Sequence, residues 1–191
     1  MKRLAIITGI LVLAAPLAIA QTSTWISDPM HSEVDFSITH LAIANVHGRF
    51  GKVSAELQFD PSDISKSTVK ATIDVAGVDT GEAPRDNDLK TPRFFDTANF
   101  AAATFTSTSV AKSGSGLIVN GNLTLHGVTK PVVLTVEGPL GPVQGMDKKP
   151  HSGFSATTTI SRTAFGIGSG VPASIVGDDV KISIDLDVAK Q

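Results

Sequence analysis

Strict alternation of apolar and polar residues recurs along this chain and constrains its fold more than any other feature. From His31 to His40 the apolar residues share one parity and most of the polar residues share the other. The same pattern returns in three further segments, 53–59, 69–75 and 180–188. Because successive side chains of a strand point to opposite faces, each segment predicts a β-strand with one apolar face. The fold is therefore predicted to be all-β.

Weaker strand signals lie between these segments. They are found at 104–110, 117–125, 132–136 and 153–162, which brings the predicted total to about eight strands. The sequence from Gly114 to Gly116 is typical of a hairpin tip, so neighbouring strands are predicted to be antiparallel.

Two segments depart from the strand pattern. Pro84 can open a helix and Pro92 would end it, which predicts one short helix near residues 85–91. The Gly- and Pro-rich segment 138–150 is predicted to be one long loop.

Strands that are apolar on one face can bury those faces by closing into a barrel or by stacking as two sheets. The alternation alone fits both arrangements. In either case the apolar parity faces inward, and in a barrel it would line a cavity. The predicted lining residues are Val34, Phe36, Ile38, Val53, Leu57, Phe59, Val69, Ile73, Phe154, Ile160, Ile182, Ile184 and Leu186.

The amino-terminal residues 1–20 are typical of a cleaved signal peptide. Lys2 and Arg3 precede an apolar run, and Ala18 and Ala20 form a small-x-small cleavage signal. An uncleaved membrane anchor is the alternative, but Pro16 interrupts a run that is already short for a spanning helix. We therefore expect cleavage after Ala20, export, no stable membrane insertion, and a single domain over residues 21–191.

Composition narrows the choice of partners and of stabilising chemistry. Loss of Lys2 and Arg3 would leave a formal net charge of −4, and the remaining basic residues are scattered, so no nucleic-acid partner is expected. The chain contains no cysteine, which excludes disulfides although an exported protein would permit them. Packing must therefore supply the stability.

Several motifs together resemble the YceI-like family of polyisoprenoid-binding proteins. The most specific is Leu123–Lys130, and the match extends from about Trp25 to Val188. The other motifs are His31-Ser32 leading into Val34-x-Phe36-x-Ile38-x-His40, Gly48-x-Phe50, Arg85-Asp86-x-x-Leu89, Phe94-Phe95-Asp96, Gly121-Asn122, Arg162-x-x-Phe165-Gly166 and Val176-Gly177-Asp178-x-Val180.

This resemblance implies an eight-stranded antiparallel lipocalin-like barrel in the periplasm. It also implies the ligand class, a long isoprenoid chain or a related lipid such as a quinone tail, with no other cofactor. A homodimer is implied by the resemblance and by no feature of the sequence itself.

Four charged or polar residues are candidates for a polar ligand head or for the barrel rim: His40, Arg85, Asp86 and Arg162. Arg162 shares the inward parity of Ile160, and a buried guanidinium needs an anion or equivalent acceptors. An ion pair with Asp86 is the favoured interpretation, and a ligand phosphate is the alternative. His40 is interpreted as a rim histidine, with ligand contact as the alternative.

No catalytic or metal-binding constellation is predicted. His31, His40 and His47 are separated by nine and seven residues, which is not a short ligand spacing. The leading hypothesis is a lipid carrier that is not an enzyme. Two rivals stay open: an enzyme that uses Arg85, Asp86 and His126 on a lipid head, and a stress-related structural module with a filled barrel.

Overall fold

The computed structural model describes residues 22–191, and the predicted signal peptide and its cleavage site lie outside this range. Within the described residues, ten strands form one antiparallel sheet and seven residues form one α-helix. In chain order the elements are β1 (Ser23–Ser27), β2 (Glu33–His40), β3 (Ala44–Arg49), β4 (Val53–Phe59), β5 (Thr68–Asp74), α1 (Ala83–Leu89), β6 (Ala102–Ser113), β7 (Gly116–Leu125), β8 (Val128–Gln144), β9 (Pro150–Ser161) and β10 (Val176–Lys190).

The sheet closes into a barrel because β1 pairs on both of its edges. One edge pairs with β4, from Ser23 opposite Phe59 onward, and the other pairs with β10, where Ser27 lies opposite Val188. The ring β1–β4–β5–β6–β7–β8–β9–β10 therefore has eight strands, and the predicted eight-stranded antiparallel barrel is confirmed.

Strand β2 continues along the edge of β10 beyond the point where β1 leaves it. Glu33 pairs with Asp185 and His40 pairs with Val176, so β1 and β2 lie end to end on the same edge of β10. Strand β3 pairs with β2 as a hairpin. The sequence analysis missed β1, which is only five residues long, and β3, which has one paired neighbour and only one partly buried apolar side chain.

The predicted loop over 138–150 is wrong. Strand β8 runs to Gln144 and β9 starts at Pro150, so only five residues connect them. Register shifts between Glu137 and Leu140, and again between Leu140 and Val143, fall where Pro139 and Pro142 interrupt the strand. Proline has no N–H to donate to the sheet, and irregular pairing of this kind is what allows it inside a strand. The same prolines and glycines led to the loop prediction.

The predicted helix is confirmed as α1, which has Pro84 in its first turn and ends before Pro92. We call the barrel end where β10 begins the upper end, and the end where β4 finishes and β5 begins the lower end. Beyond α1, Phe94 and Phe95 are buried in an apolar cluster at the upper end that also contains Phe165 and Ile167. This cluster covers the upper end of the barrel.

Candidate functional site

The barrel encloses an apolar cavity with a volume of about 220 Å³. Every apolar lining residue predicted from parity lies on its wall, namely Val34, Phe36, Ile38, Val53, Leu57, Phe59, Val69, Ile73, Phe154, Ile160, Ile182, Ile184 and Leu186. The inward faces therefore surround an unfilled space. That they contact a ligand stays a prediction.

The register of the strands explains why these residues form one continuous wall. Ile182 lies opposite Phe36, and Ile184 lies opposite Val34 on one side and Ala156 on the other. Residues directly opposite one another on neighbouring strands place their side chains on the same face of the sheet. The inward residues of β10 therefore lie side by side with the inward residues of β2 and β9.

Aromatic contacts lie mainly towards the two ends of the barrel. The ring centroids of Phe36 and Phe50 are 5.1 Å apart, and those of Phe50 and Phe95 are 5.7 Å apart, so Phe50 packs against the upper cluster, which contains Phe36 and Phe95. Near the lower end, Phe59 and Phe154 are 6.4 Å apart. Between these groups the wall includes short side chains such as Ala71, which leaves room in the middle of the barrel.

Arg162 closes the upper end of the cavity and is 3% exposed. Its guanidinium has five N–H groups. All of them donate to backbone carbonyl oxygens, and the five acceptors are those of Ile167, Gly168, Val171, Val176 and Gly177. The predicted inward position is correct, but the predicted ion pair with Asp86 is wrong. Backbone carbonyls satisfy this cation, and no N–H remains for a ligand head.

Asp178 anchors the start of the upper loop, which is the segment 162–175 between β9 and β10. Its carboxylate accepts hydrogen bonds from Ser161 Oγ at 2.6 Å, Thr163 Oγ1 at 2.7 Å and Thr163 N at 3.0 Å. The Ser161 hydroxyl, followed by the Thr163 hydroxyl, holds the pKa of Asp178 below its ordinary value, and the charge of Arg162 adds a smaller effect in the same direction.

Arg85 and Asp86 meet at Thr80 and do not line the cavity. The Asp86 carboxylate accepts hydrogen bonds from Thr80 N at 2.8 Å and from Thr80 Oγ1 at 2.5 Å. Arg85 Nε donates to Thr80 Oγ1 at 2.7 Å, and Nη2 donates to the Thr80 carbonyl at 2.9 Å. The two side chains thus fasten the start of α1 to the preceding turn.

The two histidines considered for the cavity region also lie outside its wall. His40 is exposed at the end of β2, beyond Ile38, which is the last residue of β2 on the apolar wall. The Nδ1 atom of His126 is 3.0 Å from the carbonyl oxygen of Phe165, and its ring packs edge-on against Phe100. His126 therefore bonds partners different from those of Arg85 and Asp86.

The lower end differs from the upper end because polar and exposed residues border the cavity there. Gln58, Ser67 and Thr68 contribute to the lining, and Thr68 is exposed. Since exposed Thr68 also borders the cavity, we interpret the lower end as the mouth.

A short 3-10 helix, Ile64–Lys66, adds Ile64 to the rim of this mouth. Asp63 caps the helix by accepting from Ser65 N at 3.2 Å. Asp60 N donates to Ser67 Oγ at 3.0 Å and holds the base of the loop. The sequence carried no signal for Ile64 at the rim, because one apolar residue between two predicted strands has no periodicity.

None of the helices in residues 22–191 combines the length and the apolar character needed to cross a membrane.

Comparisons with known proteins agree with the fold and the motifs. A UPF0312 protein of Vibrio cholerae is 35% identical over 180 residues, which cover 93% of this chain and 91% of that protein. The crystal structure of BcnA from Burkholderia cenocepacia superposes with a TM-score of 0.75 at 28% identity, covering 84% of this chain and 98% of that one.

A polyisoprenoid binding domain from Saccharophagus degradans shares the fold, with a TM-score of 0.65 at 18% identity over 90% of this chain and 100% of that one. The YceI-like domain matches residues 25–188, which is nearly the whole described chain. This chain therefore belongs to the YceI-like family.

Proposed function

We propose that this protein is a periplasmic carrier or reservoir for a long-chain isoprenoid lipid, such as a polyprenyl phosphate or a quinone-like molecule. The lipid chain occupies the barrel cavity and its head lies at the lower mouth. The observation that carries the proposal is the unfilled apolar cavity, which is sealed at one end and bordered by an exposed polar residue at the other. The fold neighbour named as a polyisoprenoid binding domain supports the ligand class.

The driving force for loading is the removal of apolar surface from water. Each buried Å² contributes roughly 25 cal/mol, and five buried carbons at about 0.8 kcal/mol each give about 4 kcal/mol per isoprene unit. Ordering of the chain and loss of its micellar contacts offset much of this gain. Recognition then depends on length and shape, and it needs few polar contacts.

The orientation of the lipid is set by what each end of the barrel can bind. At the upper end the five N–H groups of Arg162 are all bonded to backbone carbonyls, so a phosphate or carbonyl head would find no donor there. At the lower mouth exposed Thr68 borders the cavity, so a polar head can stay in water there while the chain stays dry. The tail therefore enters first.

Two rival functions have less support. An enzyme built on Arg85, Asp86 and His126 would need these groups on one substrate. Instead, Arg85 and Asp86 both bond Thr80, and His126 contacts the Phe165 carbonyl, outside the cavity wall. A structural module with a filled barrel would have no unfilled cavity of about 220 Å³. We therefore favour a binding protein without catalysis.

The test is lipid analysis of the purified protein. Protein isolated from the periplasm is extracted with organic solvent and the extract is analysed by mass spectrometry. Delipidated protein is then titrated with a polyprenyl alcohol, a polyprenyl phosphate and a quinone of matched chain length. We expect a co-purified isoprenoid and uptake at a ratio near one to one. A clean extract together with no uptake of any of the three lipids would contradict the proposal.

A further inference from the structure

A cluster of histidine and aspartate side chains lies on the outer surface of the barrel, away from the cavity. Asp28 and His31 belong to the turn between β1 and β2, and Asp187 lies on β10 with its side chain on the outer face. His151 at the start of β9 and Asp147 in the β8–β9 turn adjoin the cluster. These residues come from three separate parts of the sequence.

The distances within the cluster suit a metal ion. One ligand atom each from Asp28, His31 and Asp187 lies within 4.8 Å of the other two, and His31 Nδ1 is 2.8 Å from Asp28 Oδ2. Around a tetrahedral ion with bonds of roughly 2.1 Å, neighbouring ligand atoms lie about 3.4 Å apart. Small side-chain rotations bring the three atoms to that spacing.

Backbone hydrogen bonds hold the ligand-bearing segments together before any ion binds. Asp28 N donates to the carbonyl of Asp187 at 2.7 Å. Ser32 Oγ also donates to that carbonyl at 3.2 Å and accepts from Asp187 N at 3.1 Å. Within the turn, Met30 N donates to Asp28 Oδ1 at 2.8 Å, which leaves Oδ2 directed at His31. The turn is therefore fixed on β10.

The charge of the cluster favours a cation. Among the described residues, the ion pairs of Asp28, Asp147 and Asp187 are all with histidine, and no Lys or Arg lies within 4.0 Å of these carboxylates. Side-chain exposure is 66% for His31 and 34% for Asp187, so an ion can reach the cluster from solvent.

We propose that Asp28, His31 and Asp187 bind a divalent transition-metal ion of the Zn²⁺ class, with water completing the coordination. An imidazole nitrogen favours such ions over Ca²⁺ and Mg²⁺, which prefer oxygen ligands. His151 Nδ1 is 2.6 Å from Asp187 Oδ1 and acts as a positioning residue that orients this carboxylate. This inference does not rest on the proposed lipid function.

A bound ion would cross-link the first turn to the last strand, next to the edge where β1 pairs with β10. The chain has no cysteine, so no disulfide can make this connection. Because the unfolded chain does not bring Asp28 and Asp187 together, ion binding is expected to stabilise the folded state.

The test uses tag-free, metal-free protein in calorimetric titrations with Zn²⁺ and Ca²⁺, together with thermal unfolding with and without Zn²⁺. We expect one Zn²⁺ per chain, weaker or absent Ca²⁺ binding, and a higher unfolding temperature with Zn²⁺. His31→Gln and Asp187→Asn should each weaken Zn²⁺ binding by more than about tenfold, and His151→Gln should weaken it by about tenfold.

His40→Gln is the matched control, because His40 is an exposed histidine outside the cluster. It should bind Zn²⁺ like the unmodified protein. Unfolding temperatures without metal will show whether each variant is folded. The proposal is overturned if folded His31→Gln and Asp187→Asn bind Zn²⁺ normally, if His40→Gln weakens binding equally, or if Ca²⁺ binds more tightly than Zn²⁺.

Discussion

Phe36 of β2 lies directly opposite Ile182 of β10, and both side chains reach the cavity. The next residue, Ser37, lies opposite Lys181 and His47 and faces outward. One step along the chain therefore moves a side chain from the cavity to the outer surface. This contrast gives matched variants for testing the wall.

Phe36→Asp should abolish lipid loading and lower the free energy of unfolding by at least about 3 kcal/mol, because it removes a buried ring and places a charge in the apolar wall. Ile184→Asp should act in the same way. Urea denaturation and lipid extraction measure the two effects. Ser37→Asp is the control and should retain stability and loading. Normal behaviour of Phe36→Asp would mean that the strand faces are reversed.

Arg162→Lys should lower the free energy of unfolding by about 2–4 kcal/mol, because a lysine ammonium has three donors and leaves at least two buried carbonyls unpaired. Arg49→Lys is the control, since Arg49 is 64% exposed and pairs with Asp79 at the surface. Denaturant unfolding gives the comparison. If Arg162→Lys loses lipid while keeping its stability, Arg162 binds the ligand head and our assignment is wrong.

Filling the cavity should separate lipid binding from folding. Ala71 lies on the wall, and Ala71→Leu adds apolar volume there, so we expect reduced lipid loading with a change in unfolding free energy of no more than about 2 kcal/mol. The neighbouring Thr72 is exposed, and Thr72→Leu adds a leucine on the outer face as the control. If Ala71→Leu and Thr72→Leu load the same amount of lipid, the lipid does not bind in the cavity.

Asp178 should make stability depend on pH under acidic conditions. The pKa of Asp178 in the folded protein is depressed below the ordinary value of 3.8. Its contribution to the free energy of unfolding is therefore complete above that pH and is lost as the pH falls through the pKa of the folded state. Asp178→Asn should therefore be less stable than the unmodified protein at pH 6, and the difference should shrink below pH 3.8. Unfolding measurements at both pH values test this, and a constant difference would contradict it.

The wall of the cavity could be predicted from the sequence because period-two parity is a local property. The alternation of Val34, Phe36 and Ile38 within five residues predicts that they share one face, and the structure places all three on the wall. Parity also predicted the inward position of Arg162. Its bonding partners could not be predicted, because carbonyls at 167–177 meet the guanidinium only when the upper loop folds over it.

Contacts between distant segments account for what the sequence analysis missed. Asp28 and Asp187 are neighbours because β1 and β10 pair up to Ser27 and Val188, and the interpretation of His31 with His40 and His47 overlooked Asp28 three residues before it. The prediction over 138–150 failed for a different reason. Pro139 and Pro142 suit loops, but in the barrel they fall at the register shifts between Glu137 and Leu140 and between Leu140 and Val143.

The pairing of β1 with β10 has a consequence for how the chain folds during synthesis from its amino end. The register joins Trp25 to Lys190, so the ring stays an open sheet until β10, the last of the ten described strands, is available. Until then the free edges of β1 and β9 expose unpaired backbone groups, and the apolar interior has no complete wall. Closure of the container therefore joins the first and the last of the ten described strands.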